Sequence, residues 1–200
     1  MKKLLIIIMC LCGVNAFGAM TADQVMAKVS AALTQPKSVS VTFSFSGAGG
    51  SGNGAMTVCK QMFTYVAGDI AVWYDGKTQW VRQNSAKEIS ITEPTAAELV
   101  ESNPFRVITG YKNLYTCKLL PAPAGTYMVQ LTARSKANAV RSAVVTVNAK
   151  TFIPNSITAT MDGGLSTITI RSFKPGAALS AASFRITKAH TNGYELNDLR

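Results

Sequence analysis

Histidine is almost absent from the sequence, and this limits the chemistry that the chain can perform. The one histidine, His190, stands in a polar stretch near the end of the 200 residues. A Ser-His-Asp or Cys-His device would need His190 as its base, yet no serine lies in a nucleophile-elbow context. Cys59 and Cys117 lie in apolar strand patterns, which favour unreactive thiols. We therefore predict that the protein is not an enzyme and has no catalytic residues.

Ligands for metals and phosphates are equally scarce. Zinc sites need clustered cysteine and histidine side chains, and the aspartates stand apart from one another, unlike those of a calcium loop. Residues 47–54 are rich in glycine, but they lie between predicted strands and do not precede a helix, so they do not form a phosphate cradle. We predict that the protein has no metal site and no cofactor.

Acidic residues are half as frequent as basic ones: 10 Asp and Glu stand against 20 Lys and Arg, a formal net charge of +10. The basic residues are scattered from Lys28 to Arg200 without a cluster or a binding motif, so we predict no nucleic-acid partner. The positive charge favours attraction to anionic lipid headgroups or acidic partners. A merely solvated basic surface is the alternative.

No apolar run reaches the roughly 20 residues that a membrane-spanning helix needs. The apolar residues 4–11 follow the cationic start Met1-Lys2-Lys3 and precede small residues at 14–16 and 17–19. This is the form of a cleaved export signal, so we predict a signal peptide over residues 1–19, whose end lies after Ala16 or Ala19.

Two cysteines, Cys59 and Cys117, remain after cleavage of this signal. An exported protein with two cysteines can join them in a disulfide. A buried free thiol is equally compatible with the apolar strand pattern around each one. The sequence leaves both interpretations of this pair open.

Short strands dominate the rest of the sequence. Aromatic and β-branched runs flank Asp75-Gly76, which predicts a hairpin, and a turn near residues 84–86 returns the chain into a third strand. Residues 38–46 alternate strictly between polar and apolar side chains, the pattern of a half-buried strand. Counting similar runs up to one near residues 183–187, we predict 10 or 11 antiparallel strands.

Two helical segments interrupt this sheet. Residues 21–24, Thr-Ala-Asp-Gln, have the form of a capping box and predict an amphipathic helix that ends before Pro36. From Thr95 the apolar spacing fits two short helices interrupted at Asn103-Pro104. We predict a mainly β (α+β) fold in one domain over residues 20–200. A twisted sheet of this size tends to curl, and the helices are the available covers for its concave face.

The central motif resembles the outer-membrane lipoprotein carrier family, the LolA-like periplasmic chaperones. The resemblance rests on Val72-Trp73-Tyr74-Asp75-Gly76-Lys77-Thr78-Gln79-Trp80, then Glu88-Ile89-Ser90-Ile91, then Asn103-Pro104-Phe105 opening a helix. It extends from the helix at Thr21 to Arg200, and its most specific part is residues 75–80. It implies a half-open antiparallel β-barrel lidded by helices.

The resemblance also implies a function. A periplasmic chaperone of this family binds the acyl chains of lipoproteins in an apolar hollow, receives them from an inner-membrane release complex and passes them to an outer-membrane acceptor. It needs no cofactor, and we predict a monomer. Family members often carry an arginine in an early strand that holds the empty carrier closed, but the comparable residues 60–65 contain none. The alternative function is an envelope-stress sensing or regulatory module, or a general lipid-binding module, with the same fold.

Ten apolar side chains, chosen by strand alternation or helical spacing, are predicted to line the hollow. Plain core packing is the alternative at each of them. The ten residues are Val41, Phe43, Phe45, Phe63, Trp80, Ile89, Ile91, Leu99, Phe105 and Ile108.

Overall fold

The computed structural model describes residues 20–48, 50–95, 98–99, 103, 105–161 and 163–200. The predicted signal peptide, residues 1–19, and the predicted helix break at Pro104 lie outside the described residues. Within the described ranges no helix combines the length and the apolar character needed to cross a bilayer.

All strands in the described residues belong to one curled sheet. They are β1 (Ser38–Gly47), β2 (Gly50–Cys59), β3 (Met62–Ala67), β4 (Ile70–Tyr74), β5 (Gln79–Gln83), β6 (Glu88–Thr92), β7 (Tyr115–Leu120), β8 (Thr126–Ala133), β9 (Val140–Asn148), β10 (Pro154–Met161), β11 (Gly164–Gly176) and β12 (Glu195–Asp198). Their spatial order is β12-β6-β5-β4-β3-β2-β1-β11-β10-β9-β8-β7. The end strands do not meet, which confirms the half-open barrel.

The strand count differs from the prediction at the end of the chain. Residues 183–187, expected as a strand, instead contain the end of a 3₁₀ helix (Ala181–Phe184). The twelfth strand, β12, follows later and pairs in parallel with β6. Its backbone groups therefore cover an edge that β6 would otherwise expose.

The first helix covers the concave face of the sheet. Helix α1 (Ala22–Thr34) begins with the predicted capping box, in which Thr21 Oγ1 accepts from the Gln24 amide at 3.2 Å and Gln24 Oε1 accepts from the Thr21 amide at 2.9 Å. Its apolar face is completely buried at Val25, Met26 and Val29. These side chains of α1 pack against the concave face of the sheet and form the core with it.

Two very short helices, α2 (Arg106–Thr109) and α3 (Tyr111–Leu114), lie beside α1. Gly110 separates them, so the single predicted helix after residue 103 is divided. The Tyr111 hydroxyl donates to the Asp23 carbonyl of α1 at 3.2 Å. This uncharged contact joins the short helices to α1.

Residues 177–200, which we call the C-terminal segment, cover the outer face of β3 to β6. The 3₁₀ helix lies against β3, and its Phe184 is 1% exposed. The segment then forms helix α4 (Lys188–Thr191), where the His190 ring packs on Trp73 with centroids 4.8 Å apart. The Arg82 guanidinium lies 5.3 Å from the Trp73 ring and 5.1 Å from the Tyr194 ring. This part of the sheet is therefore covered on both faces.

The two cysteines are free thiols, so the disulfide interpretation is wrong. Cys117 on edge strand β7 packs against the concave-side core. Cys59 points to the outer face, where its thiol lies 3.7 Å from the Leu179 carbonyl. The curled sheet itself separates them. Burial, followed by the nearby Asp23, raises the pKa of Cys117 to about 11, which keeps this thiol protonated at neutral pH.

The turn between β4 and β5 is held by Asp75, whose carboxylate is 6% exposed. Its Oδ1 accepts from the backbone amides of Lys77 and Thr78 at 3.1 and 2.9 Å, and its Oδ2 accepts from Arg185 Nε at 2.7 Å. Burial acts to raise the pKa of Asp75, but these donors outweigh it and hold the pKa below the ordinary value of an aspartate.

This arrangement predicts a pH-dependent contribution to stability. Because the folded-state pKa of Asp75 is depressed, its stabilisation is present above the unfolded-state pKa and is lost as the pH falls through the folded value. We expect Asp75→Asn to lower the free energy of unfolding at pH 7 by about 1–3 kcal/mol. In urea titrations, this difference from the wild type should shrink steadily below pH 4.

Glu93→Gln is the control, because it removes an exposed ion pair with Lys77 beside the same turn. It should change stability little at either pH. A constant effect of Asp75→Asn from pH 7 to pH 2 would contradict the role given to the Asp75 carboxylate.

Candidate functional site

A cavity of about 280 Å³ opens where the C-terminal end of α1 meets the start of β1. Apolar side chains from α1, β1, β2 and the residue before α2 form its wall: Leu33, Val39, Val41, Val58 and Phe105. Four of these are at most 9% exposed, and Val58 is half-buried. The volume lies near the lower end of the roughly 300–1,000 Å³ found for small-molecule sites.

The local sequence explains how this wall forms. Strand alternation places Val39 and Val41 on the concave face, and Val58 lies directly opposite Val39 in the β1–β2 pair. Pro36 lines the cavity just beyond α1, where its ring prevents the helix from continuing. On the other side, Asn103 Oδ1 accepts from the Phe105 amide at 3.0 Å and fixes the turn into α2.

Polar side chains surround the apolar wall. The turn between β2 and β3 contributes Lys60 and Gln61, and α2 contributes Arg106 and Thr109. Lys60 has a positive φ of 57°, an uncommon conformation for a residue with a side chain. The cavity can therefore take an apolar chain and still offer charged and neutral donors at its mouth.

The structure brings only part of the predicted set of ten to this cavity. Val41 and Phe105 line it. Four others are no more than 5% exposed and are packed in the core beside α1: Phe43, Phe63, Leu99 and Ile108. Their burial fits the alternative of plain core packing.

Phe45 lies at a second hollow, also of about 280 Å³, near the tips of the β1–β2 and β10–β11 hairpins. This hollow includes Leu165, which is 63% exposed, and the partly exposed Met161. It is at the opposite end of β1 from the first cavity, so the two do not form one continuous site.

Trp80, Ile89 and Ile91 are not on the concave face, which corrects the prediction for these three. Trp80 pairs with Trp73 and with Ile91, so these three side chains share one face of the sheet. Tyr74, the neighbour of Trp73 in β4, pairs with the core residue Phe63 and therefore lies on the concave face. Neighbouring residues of a strand point to opposite faces. Ile89 lies opposite Arg82, under the C-terminal segment.

Several residues that line the cavity were not predicted as site residues from the sequence. Leu33 and Val39 already belonged to the predicted helical and strand patterns, and only their convergence at one point was not visible. Lys60 and Arg106 had no recognisable signal, because a turn and a four-residue helix place them. No group of three or more His, Cys, Asp or Glu residues in the described part of the chain could hold a metal ion.

A half-open barrel with an apolar, helix-covered cavity on its concave side is suited to binding an apolar guest. The sequence profile of the family described as outer membrane lipoprotein carrier protein LolA matches residues 13–164. The chain belongs to this family, as its central motif predicted. No curated protein matches the sequence.

Solved structures resemble this chain at low sequence identity. An uncharacterized conserved protein from Thermus thermophilus is 12% identical with a TM-score of 0.57, and the match covers 88% of this chain and 98% of that one. A LolA superfamily protein from Nitrosomonas europaea is 13% identical with a TM-score of 0.43, over 84% and 99% of the two chains. A chain of the MucA/MucB complex from Pseudomonas aeruginosa is 15% identical with a TM-score of 0.43, over 83% of this chain and 61% of that one. The similarity to the Thermus protein supports the fold.

Proposed function

We propose that the protein is a periplasmic carrier that shields the acyl chains of lipoproteins and passes them to the outer membrane. In this proposal the protein acts by binding alone, without catalysis or a cofactor. The observation that carries the proposal is the apolar cavity between α1, α2 and the start of β1.

The energetic argument is the removal of acyl chain from water. Each buried CH₂ group contributes about 0.8 kcal/mol, and an apolar cavity of even about 150 Å³ stays dry and accepts an apolar guest. The walls formed by Leu33, Val41 and Phe105 offer such surroundings.

Longer chains require the cover of the cavity to move. Helix α2 has only four residues and contacts α1, so few hydrogen bonds must break for it to shift. Its neighbour Tyr111 is linked to α1 through the neutral hydrogen bond to Asp23. In this proposal, that contact and apolar packing hold the cover closed, since residues 60–65 lack the arginine that the family resemblance leads us to expect.

Filling the cavity tests the proposal. Val58→Phe adds volume at a half-buried wall position, so the mature protein should lose affinity for a fluorescent fatty-acid probe by about tenfold or more, the cost of blocking one to two kcal/mol of chain burial. Affinity is measured by fluorescence titration. Thermal unfolding should show that the variant remains folded.

Val66→Phe is the matched control, because Val66 is also on the β2–β3 hairpin but is 45% exposed and does not line the cavity. It should bind the probe as the wild type does. Unchanged binding by Val58→Phe would contradict the proposed site. Mass spectrometry of material purified from the native envelope should find lipidated proteins; recovery of a membrane regulator without lipoproteins would favour the sensing module.

A further inference from the structure

We propose that the mouth of this cavity binds the anionic head, a phosphate or a carboxylate, of the amphiphile whose chain fills the cavity. Lys60 and Arg106 are the residues that recognise it. The inference rests on the proposed function for the apolar chain, and it extends the cargo of the same cavity to an anionic lipid, since the ester- and amide-linked acyl chains of a lipoprotein carry no such head.

The two cations come from two different elements that line the same cavity. Lys60 is in the turn between β2 and β3, whereas Arg106 is the first residue of α2, and both line the 280 Å³ cavity. Lys60 is exposed and Arg106 is half-buried. The proposed anion lies at the mouth beside these two residues, and its chain lies against Val58 and Phe105.

Neither cation is neutralised by the parts of the chain that the structure describes. The ion pairs there join Lys77 to Glu93, Arg185 to Asp75 and Arg200 to Asp198, and do not involve Lys60 or Arg106. Among the described residues that line the cavity, none is acidic. An anionic head would thus meet two uncompensated positive charges beside an apolar wall, where the effective dielectric constant is lower than in water.

The backbone at Lys60 allows its charge to be removed without a steric cost. Its φ of 57° lies in the left-handed region, which glycine adopts without steric cost and a lysine does not. Lys87 and Phe152 have nearly the same φ between other strands, so this conformation is a property of the turn. Lys60→Gly therefore tests the role of the lysine charge alone.

Neutral groups at the mouth complete the recognition of an oxyanion. Gln61 and Thr109 have side-chain donors and line the same cavity. Arginine matches phosphate and carboxylate oxygens with paired donors, and lysine supplies a point charge. An ester or amide head without a charge would gain none of this attraction.

The test compares two probes with the same palmitoyl chain, lysophosphatidylglycerol with an anionic phosphate in its head and monopalmitoylglycerol with no charged group. Below the concentrations at which either probe aggregates, calorimetry on the mature wild type should show roughly five- to tenfold tighter binding of the anionic probe, as two partly exposed charge pairs can provide. Raising the salt concentration should reduce the ratio. Inorganic phosphate alone should not displace the anionic probe, because it has no chain.

Two variants separate a functional role from a structural one. Lys60→Gly removes the charge and relieves the backbone, so it should reduce the preference without lowering the melting temperature. The double variant Lys60→Gly/Arg106→Gln should bind both probes about equally. The control, Lys118→Gln/Lys174→Gln, removes the same net charge from exposed outer-face positions and should keep the preference.

Equal binding of both probes by the wild type would overturn this inference and leave the acyl site intact. Absence of binding by either probe would instead remove the proposed function. The assignment to Lys60 and Arg106 would also be overturned if the control lost the preference as the double variant does, or if inorganic phosphate displaced the anionic probe at equal concentration.

Discussion

Phe184→Ala is expected to lower the free energy of unfolding by about 3–5 kcal/mol, the usual cost of truncating a buried phenylalanine. Phe184 is 1% exposed and belongs to the 3₁₀ helix that lies against β3. It is the most deeply buried residue of the C-terminal segment, so its loss should loosen the whole segment. Since small domains are stable by only about 5–15 kcal/mol, much of the total is at stake.

The loosening has consequences that can be measured separately from global stability. Trp73 is 8% exposed beneath His190. One edge of β6 pairs with β12, which belongs to this segment. In Phe184→Ala, tryptophan fluorescence should shift to the red below the unfolding transition, and proteolysis should cut within residues 177–200 first.

Leu199→Ala provides the control within the same segment, because Leu199 is 68% exposed. It should change stability by less than about 0.5 kcal/mol and leave the fluorescence unchanged. Similar effects of Phe184→Ala and Leu199→Ala would show that the segment does not depend on its buried anchor.

Features that depend on residues close together in the chain could be predicted from the sequence. The capping box of α1 depends on residues three apart, and the alternation of β1 depends on neighbours two apart. Such local patterns determine element type, and the family motif added the half-open barrel. The capping box and the strand over residues 38–46 are confirmed, because each depends only on residues close together in the sequence.

The error over Trp80, Ile89 and Ile91 has a physical cause. In β6, Ile89 and Ile91 alternate with Glu88, Ser90 and Thr92, so the pattern shows that one face of the strand is buried. The C-terminal segment covers that face from outside, with Tyr194 on Arg82 and the Leu199 amide bonded to the Ile91 carbonyl. Alternation identifies a buried face but does not indicate whether α1 or the C-terminal segment buries it.

Strand β12 and the cavity escaped prediction for a different reason. Glu195 and Asp198 are exposed, and β12 pairs through backbone groups, which leave no apolar signature. The cavity depends on how closely α1 and α2 pack, which is a property of several distant elements. Composition and periodicity do not report such volumes.

Aromatic rings lie over Gly52 and Gly54 of β2 and leave little room for a side chain at either position. A Cβ atom at Gly54 would stand 2.4 Å from Phe43 Cζ and 2.7 Å from the Val66 carbonyl, and one at Gly52 would stand 3.0 Å from Phe45 Cζ. Phe43 is 1% exposed and stacks on Tyr65 with centroids 5.9 Å apart. The ring thus has little room to move away.

Gly54→Ala is therefore expected to lower the free energy of unfolding by about 2–3 kcal/mol, the range found for overpacked cores. Chemical denaturation measures it. The control is Gly163→Ala, where an added Cβ would have no atom within 4 Å, and it should change stability by less than about 0.5 kcal/mol.

A double-mutant cycle identifies the clash. Phe43→Leu shortens the side chain above Gly54, so Phe43→Leu/Gly54→Ala should be less destabilised than the sum of the single variants by about 1 kcal/mol. The relief should be partial, because the Val66 carbonyl remains 2.7 Å from the new Cβ. Strict additivity would mean that the backbone contact alone excludes a side chain at residue 54. A positive coupling would establish that the Phe43 ring, packed against this glycine, fixes the shape of the concave face on which the cavity depends.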